Sequence, residues 1–131
     1  MSLGNTVTGT MTFRVVIVDD VEWVREMLAD LLNDTPGVEV CGSASDGVEA
    51  VSTILRLRPD IVLMDLKMPR MDGITAAAEV LAVWPEAKIV INSAYGDTSL
   101  VEQANDVGVV GYVTKDQRPS ELIEELLSLQ V

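Results

Sequence analysis

Five short apolar runs alternate along the chain with five longer segments of helical character. The runs are Phe13–Asp19, Val38–Gly42, Asp60–Asp65, Lys88–Ser93 and Val109–Thr114. Each is short and rich in β-branched residues, which favours strand over helix. The segments between and after them, about 21–33, 46–57, 72–84, 97–107 and 118–129, are of helical character, and the first and last repeat their apolar residues at the spacing of one helix face. Val21, Val24, Leu28, Leu31 and Leu32 do so in the first, and Leu122, Ile123, Leu126, Leu127 and Leu129 in the last. Strict β-α alternation predicts an α/β fold, a doubly wound five-stranded parallel sheet with helices on both faces. Val15–Val18, Ile61–Met64 and Ile89–Ile91 are continuously apolar, as central strands covered on both sides should be, whereas Glu39 and Gly111 mark the second and fifth runs as edges. The order 2-1-3-4-5 satisfies that assignment and puts a ligand site beyond the carboxyl ends of strands 1 and 3. Asp20, Asp46, Asp72, Asp97 and Ser120 stand where helix N-caps are expected, and Gly37 and Gly108 where left-handed helix exits are expected.

At 131 residues the chain is one domain, residues 12–131, behind a small polar tail at 1–11 that is expected to be disordered and in which Met11 is a candidate native start. Nine basic against 21 acidic residues give a net charge of −12, which repels phosphate backbones and anionic membranes. No apolar stretch approaches a membrane span and no signal peptide opens the chain, so a cytoplasmic protein is expected. A single cysteine, Cys41, excludes an internal disulfide, and the absence of histidine excludes a Cys/His zinc site and imidazole-dependent nucleophilic catalysis.

The polar residues at the strand ends carry the chemistry. Strand 1 ends at Asp19-Asp20, strand 3 at Asp65, strand 4 at Ser93, and strand 5 runs out at Lys115. In the expected order three carboxylates crowd together, and such a cluster is relieved by a hard divalent cation and a nearby ammonium. That set suits phosphoryl transfer, with a carboxylate as nucleophile. Taken singly, each residue has a plainer reading: an aspartate as cap or turn, a lysine as solvated, a tyrosine as packing. Met64, Met68, Met71 and Cys41 are expected to pack. The joint placement at four strand ends is what the plainer readings do not explain.

With these residues in place, the chain resembles the receiver domain of bacterial two-component response regulators over about residues 12–130. The resemblance is carried by VVIVDD (15–20), DLKMPRMDG (65–73), IVINSA (89–94) and GVVGYVTK (108–115). It implies a flavodoxin-like three-layer sandwich and a phosphorylation-dependent switch that accepts a phosphoryl group from a sensor histidine kinase on Asp65. It implies Mg²⁺ held by Asp20, Asp65 and the backbone carbonyl of Lys67, with Asp19 acting through water. Lys115 would pair with the phosphoryl oxygens, Ser93 would hydrogen-bond the phosphoryl group, and Tyr112 would be the aromatic switch. The Pro69 turn would hold the loop after Asp65, and Gly73 would allow close approach at the start of the third helix. The face of helix 4, strand 5 and helix 5 would relay the change and offer a homodimer surface. No enzymatic turnover is expected beyond self-phosphorylation and self-dephosphorylation.

Many receivers follow the lysine with proline; here Asp116 follows Lys115, so no cis bond is expected there. The segment 108–126 resembles the subfamily with a NarL- or LuxR-type helix-turn-helix output, so the chain is expected to be part of a transcription regulator that reaches DNA only through an output domain outside it. Lys67 and Tyr95 occupy positions that tune phosphoryl lifetime in the family. The competing readings are a stand-alone receiver acting by docking, a pseudo-receiver scaffold, an aspartyl-phosphate phosphatase, and a nucleotide or flavin module. The phosphatase of haloacid-dehalogenase type needs D-x-D after strand 1, where this chain has adjacent aspartates. The nucleotide module needs a glycine-rich phosphate loop, and none occurs.

Overall fold

The computed structural model describes residues 12–94 and 98–129. The expected tail 1–11, Tyr95 and the expected cap Asp97 lie outside the described residues. The elements run β1 (Phe13–Val18), α1 (Glu22–Asn33), β2 (Val38–Ala44), α2 (Gly47–Leu57), β3 (Ile61–Asp65), α3 (Gly73–Val83), β4 (Ile89–Ser93), α4 (Thr98–Val107), β5 (Gly111–Thr114) and α5 (Pro119–Ser128). All four strand pairings are parallel, in the order β2-β1-β3-β4-β5. The sheet thus has the expected order, with β2 and β5 at its edges.

Side chains alternate across the pleat, so each central strand feeds two cores. Val16, Val18, Val62, Met64, Ile89 and Ile91 pack against Ala50 and Ile54 of α2, Ala76 and Val80 of α3, and Ala104 of α4. Val15, Ile17, Ile61, Leu63 and Val90 meet Leu28 and Leu32 of α1 and Leu122 and Leu126 of α5 on the other face. Met64 is fully buried and Met68, Met71 and the half-buried Cys41 pack against the first core, as expected. Among the described residues no helix is long and apolar enough to cross a membrane.

Three local features depart from expectation. β2 continues to Ala44 because its register with β1 shifts between Val15 and Val16, leaving Cys41 as an extra residue and carrying the strand on to the Ala44 carbonyl that accepts from the Asp19 N–H. Asp20 is not a cap: α1 begins after Val21, which makes no side-chain cap bond, and the Asp19 carboxylate accepts from the Val21 N–H instead at 2.9 Å. Ser120 is not a cap either. Pro119 takes the first helical position, where its missing N–H costs nothing, so Arg118 becomes the cap residue and Glu121 accepts from its N–H. Asp46 and Asp72 do cap α2 and α3, through Glu49 N–H and Thr75 N–H at 2.8 Å each. Gly37 and Gly108 have φ of +80° and +105°, as left-handed exits require. No cis peptide bond occurs among the described residues.

Candidate functional site

The sheet order makes β1 and β3 neighbours, and their carboxyl ends bring Asp19, Asp20 and Asp65 together. One carboxylate oxygen from each lies within 4.8 Å of the others. Asp19 and Asp65 are buried and Asp20 is exposed. Lys115, just past β5, reaches across with Nζ 3.0 Å from Asp19 Oδ2 and 3.0 Å from Asp65 Oδ1. Its backbone is held against the end of β4, where the Lys115 N–H donates to the Ser93 carbonyl. Arg25 of α1 also donates to the Asp19 backbone carbonyl. That contact lay one turn into the helix, where sequence gave no cue.

The charge balance of this cluster is unfavourable to its own carboxylates. Burial, with the Asp19 charge adding to it, pushes the Asp65 carboxyl up to about 6, against the opposing pull of Lys115 and of the Leu66 N–H that donates to Oδ1. Burial by itself would lower the Lys115 ammonium, but hydrogen bonds to Asp19 and Asp65 outweigh it and raise the group above its ordinary value. Three carboxylates facing one ammonium leave excess negative charge, and the donors are all oxygen. That combination fits a hard divalent cation such as Mg²⁺ and not a thiophilic metal.

The flanking loops are fixed by contacts between them. A Cβ on Gly73 would meet the Asp65 carbonyl oxygen at 2.1 Å, so only glycine lets α3 start this close to the acid, as the family resemblance implied. Gly47 is held likewise: a Cβ there would meet the Met71 carbonyl at 2.1 Å. Arg70 sits at φ +68° and pairs with Asp46 at 2.9 Å, so the residue that caps α2 also ties down the loop after β3. Sequence reasoning saw the cap and missed the pair, which joins residues 24 apart without periodicity. Asp46→Ala is expected to lower the urea midpoint, mainly through the lost cap, and Arg70→Ala to lower it much less because the pair is exposed. Equal losses from the two would show that the ion pair, not the cap, matters.

Ser93 ends β4, fully buried, and Tyr112 lies half-buried against the first core. In the ladder Tyr112 is opposite Ile91, and Thr114 is opposite Ser93. Ser93 and Tyr112 therefore share one face of the sheet on neighbouring strands. Lys67 is exposed in the loop after Asp65.

The model of the response regulator receiver domain matches residues 15–127. The chemotaxis protein CheY of Thermotoga maritima is 42% identical over 113 residues, 86% of this chain and 93% of CheY. Curated transcriptional regulators are matched at 36% to 44% identity, but the chain spans only 52% to 54% of their length. Among solved structures, the receiver domain of the NarL response regulator of Mycobacterium tuberculosis superposes with a TM-score of 0.86 at 33% identity, covering 91% of this chain and 96% of that one. CheY in a CheX-CheY-BeF₃-Mg²⁺ complex from Borrelia burgdorferi superposes with a TM-score of 0.85 at 29% identity, covering 91% and 90%. The chain belongs to the response regulator receiver domain family, the phosphorylation-dependent signalling modules of two-component systems.

Proposed function

We propose that Asp65 accepts a phosphoryl group from a sensor histidine kinase and that the modified domain switches an output. The observation that carries this is the carboxylate on β3 held between a second buried acid and a lysine ammonium. A carboxylate oxygen of Asp65 attacks phosphorus in line, the bond from phosphorus to the donor nitrogen breaks, and the leaving imidazole takes up a proton. Asp20, Asp65 and the Lys67 backbone carbonyl would hold Mg²⁺, which would supply charge neutralisation at the phosphoryl oxygens when bound. Asp19 acts through water: its Oδ2 is paired with Lys115 and its Oδ1 with the Val21 N–H. Lys115 turns from Asp65 toward the phosphoryl oxygens. The CheY complex with Mg²⁺ and BeF₃ among the structural neighbours supports the assignment.

Ser93 then hydrogen-bonds the phosphoryl group, and its movement opens room for Tyr112 to turn inward. Their shared face of the sheet supports the coupling. The face of α4, β5 and α5 changes shape as a population shift and is read by a partner or a second copy of the chain. The NarL-type neighbours support control of transcription through an output domain, with DNA reached only there. Turnover of an outside substrate is not part of this reading.

Incubation with Mg²⁺ and a small phosphodonor should add one phosphoryl group by intact mass. Asp65→Asn should remain unmodified, and full modification of that variant would exclude Asp65 as the acceptor.

A further inference from the structure

Arg70 stands where the backbone favours a smaller residue. Its φ is +68°, in the left-handed region that glycine and asparagine enter most easily. The turn needs the conformation but not so long a side chain. That side chain reaches Asp46, where Nε and Nη2 both donate to Oδ2, at 3.1 and 2.9 Å. Oδ1 of the same carboxylate accepts from the Glu49 N–H at 2.8 Å. Asp46 therefore serves α2 with one oxygen and the loop between β3 and α3 with the other.

The pair links the two sides of the acidic cluster. β2 and β3 flank β1 and do not pair with each other. The loops that follow them nevertheless meet, through the Arg70–Asp46 pair and through the close approach of Gly47 to the Met71 carbonyl. The end of β2 is itself fastened to the acid pair, because the Asp19 N–H donates to the Ala44 carbonyl at 3.1 Å. One end of this brace is thus tied to the residues that follow β1, Asp19 and Asp20. The other is tied to the loop that carries Lys67, whose backbone carbonyl would complete the Mg²⁺ donor set. Mg²⁺ demands near-ideal octahedral geometry, so the placement of that loop should govern affinity.

We infer that Arg70 and Asp46 are positioning residues for the cation: neither touches it, and together they hold the loop after Asp65 in the shape that binds it. This rests on the reading of the acidic cluster as an Mg²⁺ site and adds two residues to it. Charge alone makes the opposite claim for one of them. Removing a positive charge near a cation site should tighten binding, and removing a negative charge should weaken it. A brace requires weaker binding when either residue is changed.

The test is calorimetric titration with Mg²⁺ of the full chain, of Arg70→Gln, of Asp46→Asn and of the double variant. Asparagine can still cap α2, so the ion pair is removed without the cap. Each single variant should bind about threefold more weakly, within the usual worth of an exposed ion pair. The double variant should also lose about threefold, because both changes break the same contact. Hydrogen exchange in the presence of a chelator gives a readout without metal. The Gly73 N–H closes the loop onto the Leu66 carbonyl at 2.7 Å, and it should exchange about threefold faster in Arg70→Gln. Arg70→Gln binding Mg²⁺ as tightly as the parent or more tightly, a loss of about ninefold in the double variant, or unchanged exchange at Gly73 would each overturn the inference. Absence of Mg²⁺ binding by the parent would overturn the metal reading itself, and the inference with it.

Discussion

Asp65→Asn is expected to make the metal-free protein more stable, not less. In the folded state the carboxyl titrates near 6, against 3.8 for an unperturbed aspartate. Between those values the native state binds more protons than the unfolded chain, so stability falls as pH rises through the window. Above it the full cost of keeping Asp65 ionised is present, about 3 kcal/mol at most from the size of the shift. Asparagine removes that charge while its carbonyl can still accept from the Leu66 N–H, which now donates to Asp65 Oδ1. Urea denaturation with a chelator at pH 7.5 should show Asp65→Asn more stable by about 2–3 kcal/mol, and the gain should fade toward pH 4. A variant less stable than the parent at pH 7.5 would mean that Lys115 already compensates Asp65 fully. An ionised carboxylate buried beside a second acid destabilises the metal-free fold, and a bound cation would relieve it.

The second large effect is at Lys115. Its ammonium contacts both buried carboxylates, and its side chain is 30% exposed. Lys115→Met leaves Asp19 and Asp65 facing each other without a cation. The expected cost at pH 7.5 is about 3 kcal/mol, the low end for breaking a buried pair. Two features limit it. Asp65 can take up a proton, so the loss should shrink as pH falls below about 6, where the parent carboxyl itself titrates. A divalent cation can replace the lost charge, so Mg²⁺ should stabilise Lys115→Met more than the parent. In the parent the raised Lys115 value means that its contribution is complete below the unperturbed 10.5 and is lost only as pH rises through the higher folded value. Thermal melts with and without Mg²⁺ check this; equal stabilisation of both proteins by Mg²⁺ would place the cation away from Lys115.

The parts of the molecule legible in the sequence were those set by short-range pattern. Unbroken β-branched runs such as Val15–Val18 can only be covered strands, and Glu39 and Gly111 gave away the edges. The acid pair, Asp65 and Lys115 were readable because strand ends in a parallel sheet converge, and the structure brings all four together. What escaped depended on partners distant in sequence or on competition between neighbours. Asp20 lost the cap because Asp19, one residue earlier, already reaches the Val21 N–H. β2 outran its apolar stretch because the shift at Cys41 lets polar Ser43 stay on an exposed edge. The Arg70–Asp46 pair joins two loops that only the fold brings near. The burial of Asn92, a residue the sequence reading left without a role, follows from α1 and α5 closing over that face.

Capture of a divalent cation by the clustered aspartates is open to calorimetric titration of the chain with Mg²⁺ at pH 7.5. One ion per chain is expected and, for Asp20→Asn, an affinity lower by about tenfold or more, equivalent to roughly 1.4 kcal/mol of lost coordination. No saturable binding, or equal affinity in the parent and Asp20→Asn, would contradict it.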